Sequence, residues 1–401
     1  MIGMMTAYHL AREGEQVTLI DARATGLGAS SVNAGWFCPA ESAPVPGPGV
    51  VLTSMKWMLK PDSPLYIRPS LQPSFIKFML GMWSKSNAKD QRAGFEASMR
   101  LAQNTGELYE SYQKEMGFEM HSNGLLMAFT EKENLDHHLD NLDLVKKFNL
   151  EPKVLIGDDV RDYEPELTDA VYGGIAFPHE KHIDPVAMME AFHKQLAKLG
   201  VLIIENTPID KVEFNGDVVK AVVSRGQRFE ADRFVLAAGA WTGNLSKLFK
   251  VNLPVRPGKG YSFEVEPLQL RGAINLSDAK VAVTPFNNRL RLAGTMEFGG
   301  LDEKVNQVRV DAILRAPKTY FRNWQSPSST SEPKAGMRPM TPDGLPIVGK
   351  LSGLKNTWVS TGHGMMGITL GAGTANELTG LILKNRESAA LAPFTPKRFG
   401  A

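Results

Sequence analysis

Two residues near the start of the chain are spaced for nucleotide binding. Gly3 opens a stretch with helical spacing of apolar residues, Gly14 ends that stretch, and residues 17–20 predict a buried strand that ends in Asp21. This order is the second half of a dinucleotide-binding pattern, in which the third glycine allows close helix–strand packing and the acid binds a ribose. The first strand and the first two glycines are not seen, so either the assigned start lies too late or the innermost strand is lacking. The alternative for this segment is an ordinary helix–strand pair with an acidic end.

Two other small-residue segments are suited to contact with a ligand. The loop 22–41 contains Ser30, Ser31 and Asn33, whose side chains can donate hydrogen bonds to phosphate oxygens. A flexible surface loop is the alternative interpretation. Near the other end of the chain, residues 362–367 read GHGMMG and precede a predicted helix that ends at Lys384. Backbone amides at such a helix start bind anions or carbonyl oxygens.

The remaining pattern predicts alternating helices and strands. A helix is expected over 186–199, with Asp184 as its N-cap and Pro185 as its first residue. Hairpins are expected at 211–224 and at 281–294, and a helix over 302–324. A strand within 228–238 delivers Ala238 and Gly239 at its carboxyl end, where open α/β sheets bind ligands.

Composition narrows the class of protein. The 401 residues favour two closely joined domains, and 45 basic residues nearly match 43 acidic ones, so nothing indicates nucleic-acid binding. The single cysteine, Cys38, excludes an intrachain disulfide and a cysteine metal cluster. We therefore predict a cytoplasmic location, with no metal and no membrane-spanning segment.

The stretch 55–92 differs in character from the rest. It holds seven basic residues against two acidic ones, together with several aromatic residues and methionines. Basic helices with an aromatic face can lie on anionic membranes, although such a face more often packs on the protein itself. Peripheral contact with the inner face of the cell membrane is thus one prediction for this stretch.

Several motifs, spread in order over nearly the whole chain, resemble the FAD-dependent D-amino acid dehydrogenase family. This family lies within the wider group that holds D-amino acid oxidase, glycine oxidase and sarcosine oxidase. The most specific motifs are GMRPMTPDGLPIVG at 336–349 and WVSTGHGMMGITL at 358–370. Others are GMMTAYHLAREGEQVTLID, SSVNAGWFCPA, APVPGPGVVLTSMKWMLK, VLAAGAW and RPGKGYS.

The resemblance implies an α/β (α+β) fold in two parts. A glutathione-reductase-like, Rossmann-type FAD-binding domain would comprise residues 1–45, 155–255 and 330–401. An inserted antiparallel-sheet substrate domain with flanking helices would comprise 46–154 and 256–329.

The resemblance also implies non-covalently bound FAD and the residues that surround it. Gly3, Asp21 and the loop 29–35 would lie around its ADP half, Val212 on the adenine side, and Ala238 and Gly239 along the cofactor channel. The loop comprises Ala29, Ser30, Ser31, Val32, Asn33, Ala34 and Gly35. Backbone amides at the flavin N1/O2 edge would come from Gly364, Met365, Met366, Gly367, Ile368 and Thr369.

The implied activity is oxidation of a D-amino acid by hydride transfer from Cα to flavin N5, with release of a 2-oxo acid and ammonia. Arg338 is the candidate for binding the substrate carboxylate, because guanidinium and carboxylate form a planar two-bond match. A structural ion pair with Asp343 is the alternative. Tyr261 would donate a second hydrogen bond or be a core tyrosine, and His363 would tune the flavin or cap the helix.

Two points stay open at this stage. The resemblance implies an electron acceptor other than oxygen, such as a membrane quinone, but an oxidase of the same group would pass electrons to oxygen. The lack of the first strand also allows a flavin-free, non-catalytic remnant that acts only as a binding partner.

Overall fold

The computed structural model describes residues 1–49, 62–140, 142–325, 327–386 and 388–401. The α-helices in these ranges are α1 Ile2–Arg12, α2 Pro73–Lys85, α3 Ala88–Ala102, α4 Thr105–Met116, α5 Lys132–Leu139, α6 Leu142–Lys146, α7 Asp158–Tyr163, α8 Pro185–Lys198, α9 Thr242–Leu248, α10 Gln307–Arg315, α11 Pro317–Tyr320 and α12 Gly367–Lys384.

The strands of the same ranges form five sheets. They are β1 Thr18–Ile20, β2 Trp36–Phe37, β3 Leu65–Ile67, β4 Met120–His121, β5 Leu125–Phe129, β6 Lys153–Ile156, β7 Gly173–Phe177, β8 Lys181–Ile183, β9 Leu202–Ile204, β10 Lys211–Asn215, β11 Val218–Ser224, β12 Gln227–Glu230, β13 Phe234–Leu236, β14 Arg256–Val265, β15 Ala273–Leu276, β16 Val281–Phe286, β17 Arg289–Phe298, β18 Lys334–Met340, β19 Ile347–Lys350 and β20 Thr357–Thr361.

Helix α1 packs beside two small sheets that contain parallel strands. In the first sheet β1 pairs in parallel with β9. In the second, β20 pairs in parallel with β13 and antiparallel with β19. Helix α1 buries Met4, Met5 and Tyr8 in a core shared with α8 and α12, as an amphipathic helix does with its apolar face. This core fixes the start of α1 beside the ends of both sheets.

A larger, mainly antiparallel sheet forms the other half of the molecule, in the order β18-β14-β17-β16-β15-β5-β7-β6, with β3 along β17. Side chains alternate between its two faces. One face buries Tyr261, Phe263 and Leu292 against α10 and α11. The opposite face carries small residues, including the cross-strand pair Ala282 and Ala293, and borders a large cavity.

Most of the predicted elements are present. Helix α8 begins at Pro185, and the Asp184 carboxylate accepts a hydrogen bond from the Val186 amide at 3.0 Å, which confirms the N-cap. Both hairpins are confirmed as β10–β11 and β16–β17. The helix predicted over 302–324 is wrong in extent, because helical structure is confined to α10 and α11. Pro317, which lacks an amide hydrogen, begins the second of these.

The predicted domain boundaries stay a prediction. Strands β7 and β18 come from stretches predicted for the FAD-binding part, yet they pair in the larger sheet. Residues 55–61 of the basic, aromatic stretch lie outside the described residues, whereas 73–85 form α2. Within the ranges described above, no helix is both long enough and apolar enough to cross a membrane.

Candidate active site

One cavity of about 3260 Å³ brings together nearly all the residues predicted from the sequence. Its lining includes the start of α1, Asp21, most of the loop 29–35, Ala238, Gly239, Arg338 and the segment 363–369. Three predicted residues do not line it, namely Ser31, Val212 and Tyr261. Val212 packs in a core cluster, and its neighbours Ile209 and Asp210 line the cavity instead.

The end of the cavity near α1 has the features of an anion-binding site. A Cβ atom added to Gly3 would lie 3.4 Å from the Ala237 Cβ and 3.7 Å from the Leu19 Cδ1, which are ordinary contact distances, so α1 packs closely on both strands here without requiring a glycine. The first amides of α1 lack partners within the helix and carry the positive end of its dipole. Asp21 follows β1, and one of its carboxylate oxygens accepts a hydrogen bond from the Arg23 amide at 2.9 Å.

The loop 29–35 is held by its own side chains. The Asn33 amide group donates to the carbonyls of Ala29 and Ser30 at 3.1 and 2.7 Å, and the Ser31 hydroxyl donates to the Gly28 carbonyl at 3.2 Å. Asn33 and Ser31 therefore do not present free donors to a phosphate in this geometry, because the side-chain donors of both residues already bond within the loop. Gly35 has a φ of +82°, and a Cβ there would overlap the Ile183 carbonyl. The loop thus depends on that glycine.

The segment before α12 brings backbone amides to the cavity. Gly364 has a φ of +52°, and α12 begins at Gly367. The Thr369 hydroxyl accepts a hydrogen bond from the Cys38 amide at 3.1 Å, which ties this helix to the strand β2 region. The amides at the start of α12 can stabilise negative charge on a bound ring or carbonyl oxygen.

His363 is fully buried beside this segment. Its Nε2 lies 3.2 Å from the Thr374 hydroxyl, and its Nδ1 has no hydrogen-bond partner among the described residues. Burial lowers its pKa to about 3, so the ring is neutral at neutral pH. A neutral ring can orient a ligand by a hydrogen bond but adds no positive charge.

Arg338 projects from β18 over Gly260 of the neighbouring strand. Its Nη1 donates to the Thr295 carbonyl at 2.8 Å, and a Cβ on Gly260 would overlap the guanidinium. Burial lowers the pKa of Arg338 to about 10, which leaves it charged at neutral pH. No carboxylate of the described residues lies within 4.0 Å of this cation.

The alternative role for Arg338 is excluded by the position of Asp343. That carboxylate pairs with Arg398, whose Nε lies 2.7 Å from Oδ2. Arg338 is therefore a partly buried cation without an anionic partner in the described part of the chain. Since desolvating a lone charge is costly, such an arrangement suits a ligand that brings a negative group.

Tyr261 lies on the opposite face of β14 from Arg338. Its hydroxyl donates to the Glu297 carboxylate at 2.5 Å, within a buried cluster that also contains Lys259 and Arg309. Strand alternation explains this position, because Gly260 faces Arg338 and the next residue must face away. The predicted second donor to a substrate carboxylate is therefore not found at Tyr261.

Sequence reasoning missed the residues that shape the floor of the cavity. Gly260, Ala282 and Ala293 leave a flat surface on the sheet, and the glycines at alternate positions 258 and 260 of β14 were the available signal. Two polar residues also line the cavity, and the Asn275 side-chain amide donates a hydrogen bond to the Glu41 carboxylate at 2.9 Å. Burial raises the pKa of the Glu41 carboxyl.

Comparison with known proteins places this geometry in a family. The family model for FAD-dependent oxidoreductases of the DAO type matches residues 1–381. A D-amino acid dehydrogenase of Bradyrhizobium diazoefficiens is 30% identical over 409 residues, covering 100% of this chain and 97% of that protein. A D-amino acid dehydrogenase of Vibrio atlanticus is 29% identical over 392 residues, covering 95% and 94%.

Solved structures share the fold. Glycine oxidase from Geobacillus kaustophilus superposes with a TM-score of 0.77 at 21% identity, covering 98% of this chain and 95% of that one. L-proline dehydrogenase from P. horikoshii gives 0.73 at 17% identity, covering 99% and 95%. With a family match over residues 1–381 and relatives aligned along nearly their whole length, this chain belongs to the DAO family of FAD-dependent oxidoreductases.

Proposed function

We propose that the protein catalyses the oxidative deamination of D-amino acids to 2-oxo acids and ammonia, with Arg338 binding the substrate carboxylate. The observation that carries this proposal is the charged Arg338 guanidinium in the cavity wall, with no carboxylate of the described residues within 4.0 Å. The substrate carboxylate would supply the missing anion and form two parallel hydrogen bonds. The curated relatives named D-amino acid dehydrogenase support this substrate class.

The donor set around the cavity fits FAD. Gly3 and the first amides of α1 would hold the diphosphate, Asp21 the ribose, and the amides of 364–369 the polar edge of the flavin. The small residues Gly260, Ala282 and Ala293 leave room above the sheet for a flat ring and a small substrate. When bound, FAD supplies the hydride acceptor of the reaction.

The side chains of the protein act by binding and orientation. Arg338 fixes the carboxylate, and the Thr295 carbonyl in turn fixes Arg338. With its carboxylate fixed, the substrate has two further groups that the cavity must orient, namely the amine and the Cα–H. Because no side-chain base at Cα is required for hydride loss, the contribution of the protein is proximity and electrostatic placement. The resulting imine is hydrolysed by water.

The proposed electron acceptor is a molecule other than oxygen, such as a quinone. Helix α2 supports this proposal because it borders the cavity and exposes apolar side chains at helical spacing. Ile76, Leu80 and Trp83 are 43, 54 and 64% exposed. We call these three residues the α2 stripe. A stripe of this kind, with Lys77 beside it, suits contact with an anionic membrane surface in which a quinone dissolves.

The proposal is tested with purified protein in three steps. The visible spectrum establishes whether FAD is bound, and D-alanine or D-proline added without oxygen should bleach the flavin band. Arg338→Lys should lower kcat/KM by about 10- to 100-fold, because one or two charge-assisted hydrogen bonds are lost. Arg256→Lys, on the neighbouring strand β14, is the matched control and should stay within about twofold of the unmodified protein.

Three outcomes would contradict parts of the proposal. Unchanged kcat/KM in the Arg338→Lys enzyme would show that Arg338 does not bind the substrate carboxylate. Rapid peroxide formation in air would indicate an oxidase of the same group. Protein that stays colourless after FAD is added would favour a flavin-free remnant.

A further inference from the structure

A row of side chains crosses the cavity face of the larger sheet. Strand pairing puts Ala293 of β17 opposite Ala282 of β16, and Ala282 opposite Asn275 of β15. The next residue in this row is Met127 of β5. Residues directly opposite one another lie on the same face of a sheet, and all four line the cavity. The two alanines therefore leave the floor of the cavity open as far as the polar side chain of Asn275.

Glu41 lies at this polar end of the row. The side-chain amide of Asn275 donates to both oxygens of the Glu41 carboxylate, at 2.9 and 3.2 Å. Burial raises the pKa of Glu41, whereas this hydrogen bond and the charge of Lys280 lower it. A carboxylate has about four acceptor positions, so Glu41 keeps some of them for a ligand in the cavity.

Two other carboxyl groups in this part of the molecule are already used. Asp278 accepts four hydrogen bonds from residues 130–134, at distances between 2.6 and 3.2 Å. Glu180 accepts a hydrogen bond from the Ala40 amide at 3.1 Å, and burial raises its pKa to about 8, so it is protonated at neutral pH. Glu41 is thus better placed than either of them to accept from a ligand.

The charges at this end of the cavity favour a cation. The Lys280 ammonium is attracted by Glu41 and Asp278, yet it lies more than 4.0 Å from both carboxylates. His138 is neutral at neutral pH, because burial lowers its pKa. One ammonium therefore faces two carboxylates, and the excess negative charge attracts a positively charged group.

The separation between Arg338 and Glu41 fits one ligand with a charge at each end. The Thr295 carbonyl, which fixes Arg338, lies two residues beyond Ala293 on β17, and Asn275 lies two strands away on β15. Strand spacings of about 4.8 Å and rises of about 3.4 Å per residue put these two anchor residues about 12 Å apart. In extended lysine about 7 Å separate the carboxylate from the side-chain ammonium, and a hydrogen bond of about 3 Å at each end gives about 13 Å.

We propose that Glu41, positioned by Asn275, binds the side-chain cation of a basic D-amino acid whose carboxylate is bound by Arg338. The alkyl part of the substrate would lie over Ala282 and Ala293, which offer no polar side chain. An acidic D-amino acid would instead place a second anion beside Glu41. The inference rests on the proposed function, because it names the side-chain class of that same substrate.

The first test measures binding, so that it does not depend on turnover. 6-Aminohexanoate has the carboxylate and the terminal ammonium of lysine but lacks the α-amine, and hexanoate lacks both amines. Calorimetry on the FAD-loaded protein should show about tenfold or more tighter binding of 6-aminohexanoate, because a charge-assisted hydrogen bond is gained. Glu41→Gln keeps the size of the side chain and should abolish this difference. Asp140→Asn should retain the difference within about twofold and is the matched control, because Asp140 also lines the cavity and the same charge is removed.

The second test measures turnover with an artificial electron acceptor. In the unmodified protein kcat/KM for D-lysine should exceed that for D-norleucine, which lacks the terminal amine, by about tenfold or more. Glu41→Gln should lower the D-lysine value by a similar factor and change the D-norleucine value by less than about threefold.

Each result decides the proposal. Equal binding of the two acids, no binding of either, or an unchanged difference in Glu41→Gln would overturn it. Preference for D-glutamate over D-lysine would also overturn it and would assign this end of the cavity to Lys280. If binding of 6-aminohexanoate depends on Glu41 while no D-amino acid is oxidised, only the proposed activity fails.

Discussion

Glu297 is the centre of a buried ionic cluster on the side of β14 that faces away from the cavity. Its carboxylate contacts the Lys259 ammonium at 3.2 Å, the Arg309 Nε at 2.6 Å and the Tyr261 hydroxyl at 2.5 Å. Burial, followed by the hydrogen bond to this carboxylate, raises the pKa of Tyr261, so the hydroxyl remains a donor. The cluster fixes β14 and β17, which carry Gly260 and the Thr295 carbonyl.

This arrangement predicts a structural rather than a catalytic effect of Tyr261→Phe. The variant leaves Glu297 with two cations and removes one hydrogen bond to a charged group, which should lower the free energy of unfolding by about 1–3 kcal/mol. KM for a D-amino acid should change by no more than about threefold. Urea unfolding and steady-state kinetics on the same preparation measure the two effects. A tenfold rise in KM at an unchanged free energy of unfolding would instead indicate that Tyr261 binds the substrate carboxylate directly.

The resemblance to a known family predicted a place in the site for single residues that lie in its specific motifs. Arg338 is such a case, because it lies in one of these motifs and lines the cavity, while its binding of a carboxylate stays a prediction. The orientation of Tyr261 and the internal hydrogen bonds of Asn33 were not predictable in the same way. Both depend on which face of a strand or loop a side chain occupies, and a register shift of one residue reverses that face.

At the scale of elements, two adjacent strands decide where the Arg338 guanidinium lies. Gly258 of β14 is the partner of Arg338 in β18, and the guanidinium extends over Gly260. The absence of a side chain at Gly260 is therefore what makes room for the cation. This role is separate from any need for a positive φ, since Gly260 does not have one, although the pairing of β14 with β17 shifts register at this residue.

Gly260→Ala should displace the Arg338 guanidinium and lower kcat/KM by about 10- to 100-fold, since misplacement by about 1 Å can cost that much. FAD absorbance and the thermal unfolding midpoint should change little, because the guanidinium can shift into the cavity. Gly299→Ala is the control, because a Cβ there meets no atom within 4 Å. Equal kinetics for the two variants would mean that the position of Arg338 is not set by this glycine.

Elements with strong local signals were predicted, and elements shaped by tertiary contacts were not. The cap at Asp184 and the turn at Gly216 are local and were confirmed. The strand predicted within 228–238 is divided into β12 and β13, which belong to different sheets. That division depends on pairing with β11 and with β20, which are distant from each other in sequence.

At the scale of the whole molecule, the cavity is built from segments that are far apart in the chain. The resemblance to a known family anticipated that residues near 3, 21, 238, 338 and 364 would meet, and the structure places them along one cavity. Residue spacing alone could not have done so, because sheet order is set by long-range pairing. The small residues with which the larger sheet lines the cavity became visible only with the strands in place.

The position of the α2 stripe relative to the core leads to a prediction about the entire molecule. Phe78 and Met82, on the opposite side of α2, pack against Phe298 and Met340. The stripe is thus an exposed face of α2 whose three residues also line the cavity. If this face rests on a membrane, the cavity lies near the surface from which an apolar electron acceptor would arrive.

We expect the protein to sediment with vesicles that contain anionic lipid, and to do so less as ionic strength rises, because basic residues near α2 contribute electrostatic attraction. Leu80→Glu should weaken this binding at least tenfold, since it replaces apolar contact by a charge that repels the lipid. Val308→Glu is the matched control, because Val308 is also an exposed apolar residue on a helix, at 49% exposure, but lies on α10. Its binding should differ from that of the unmodified protein by less than about threefold. Equal loss in both variants would indicate a nonspecific charge effect, and no sedimentation of the unmodified protein would rule out membrane contact by the stripe.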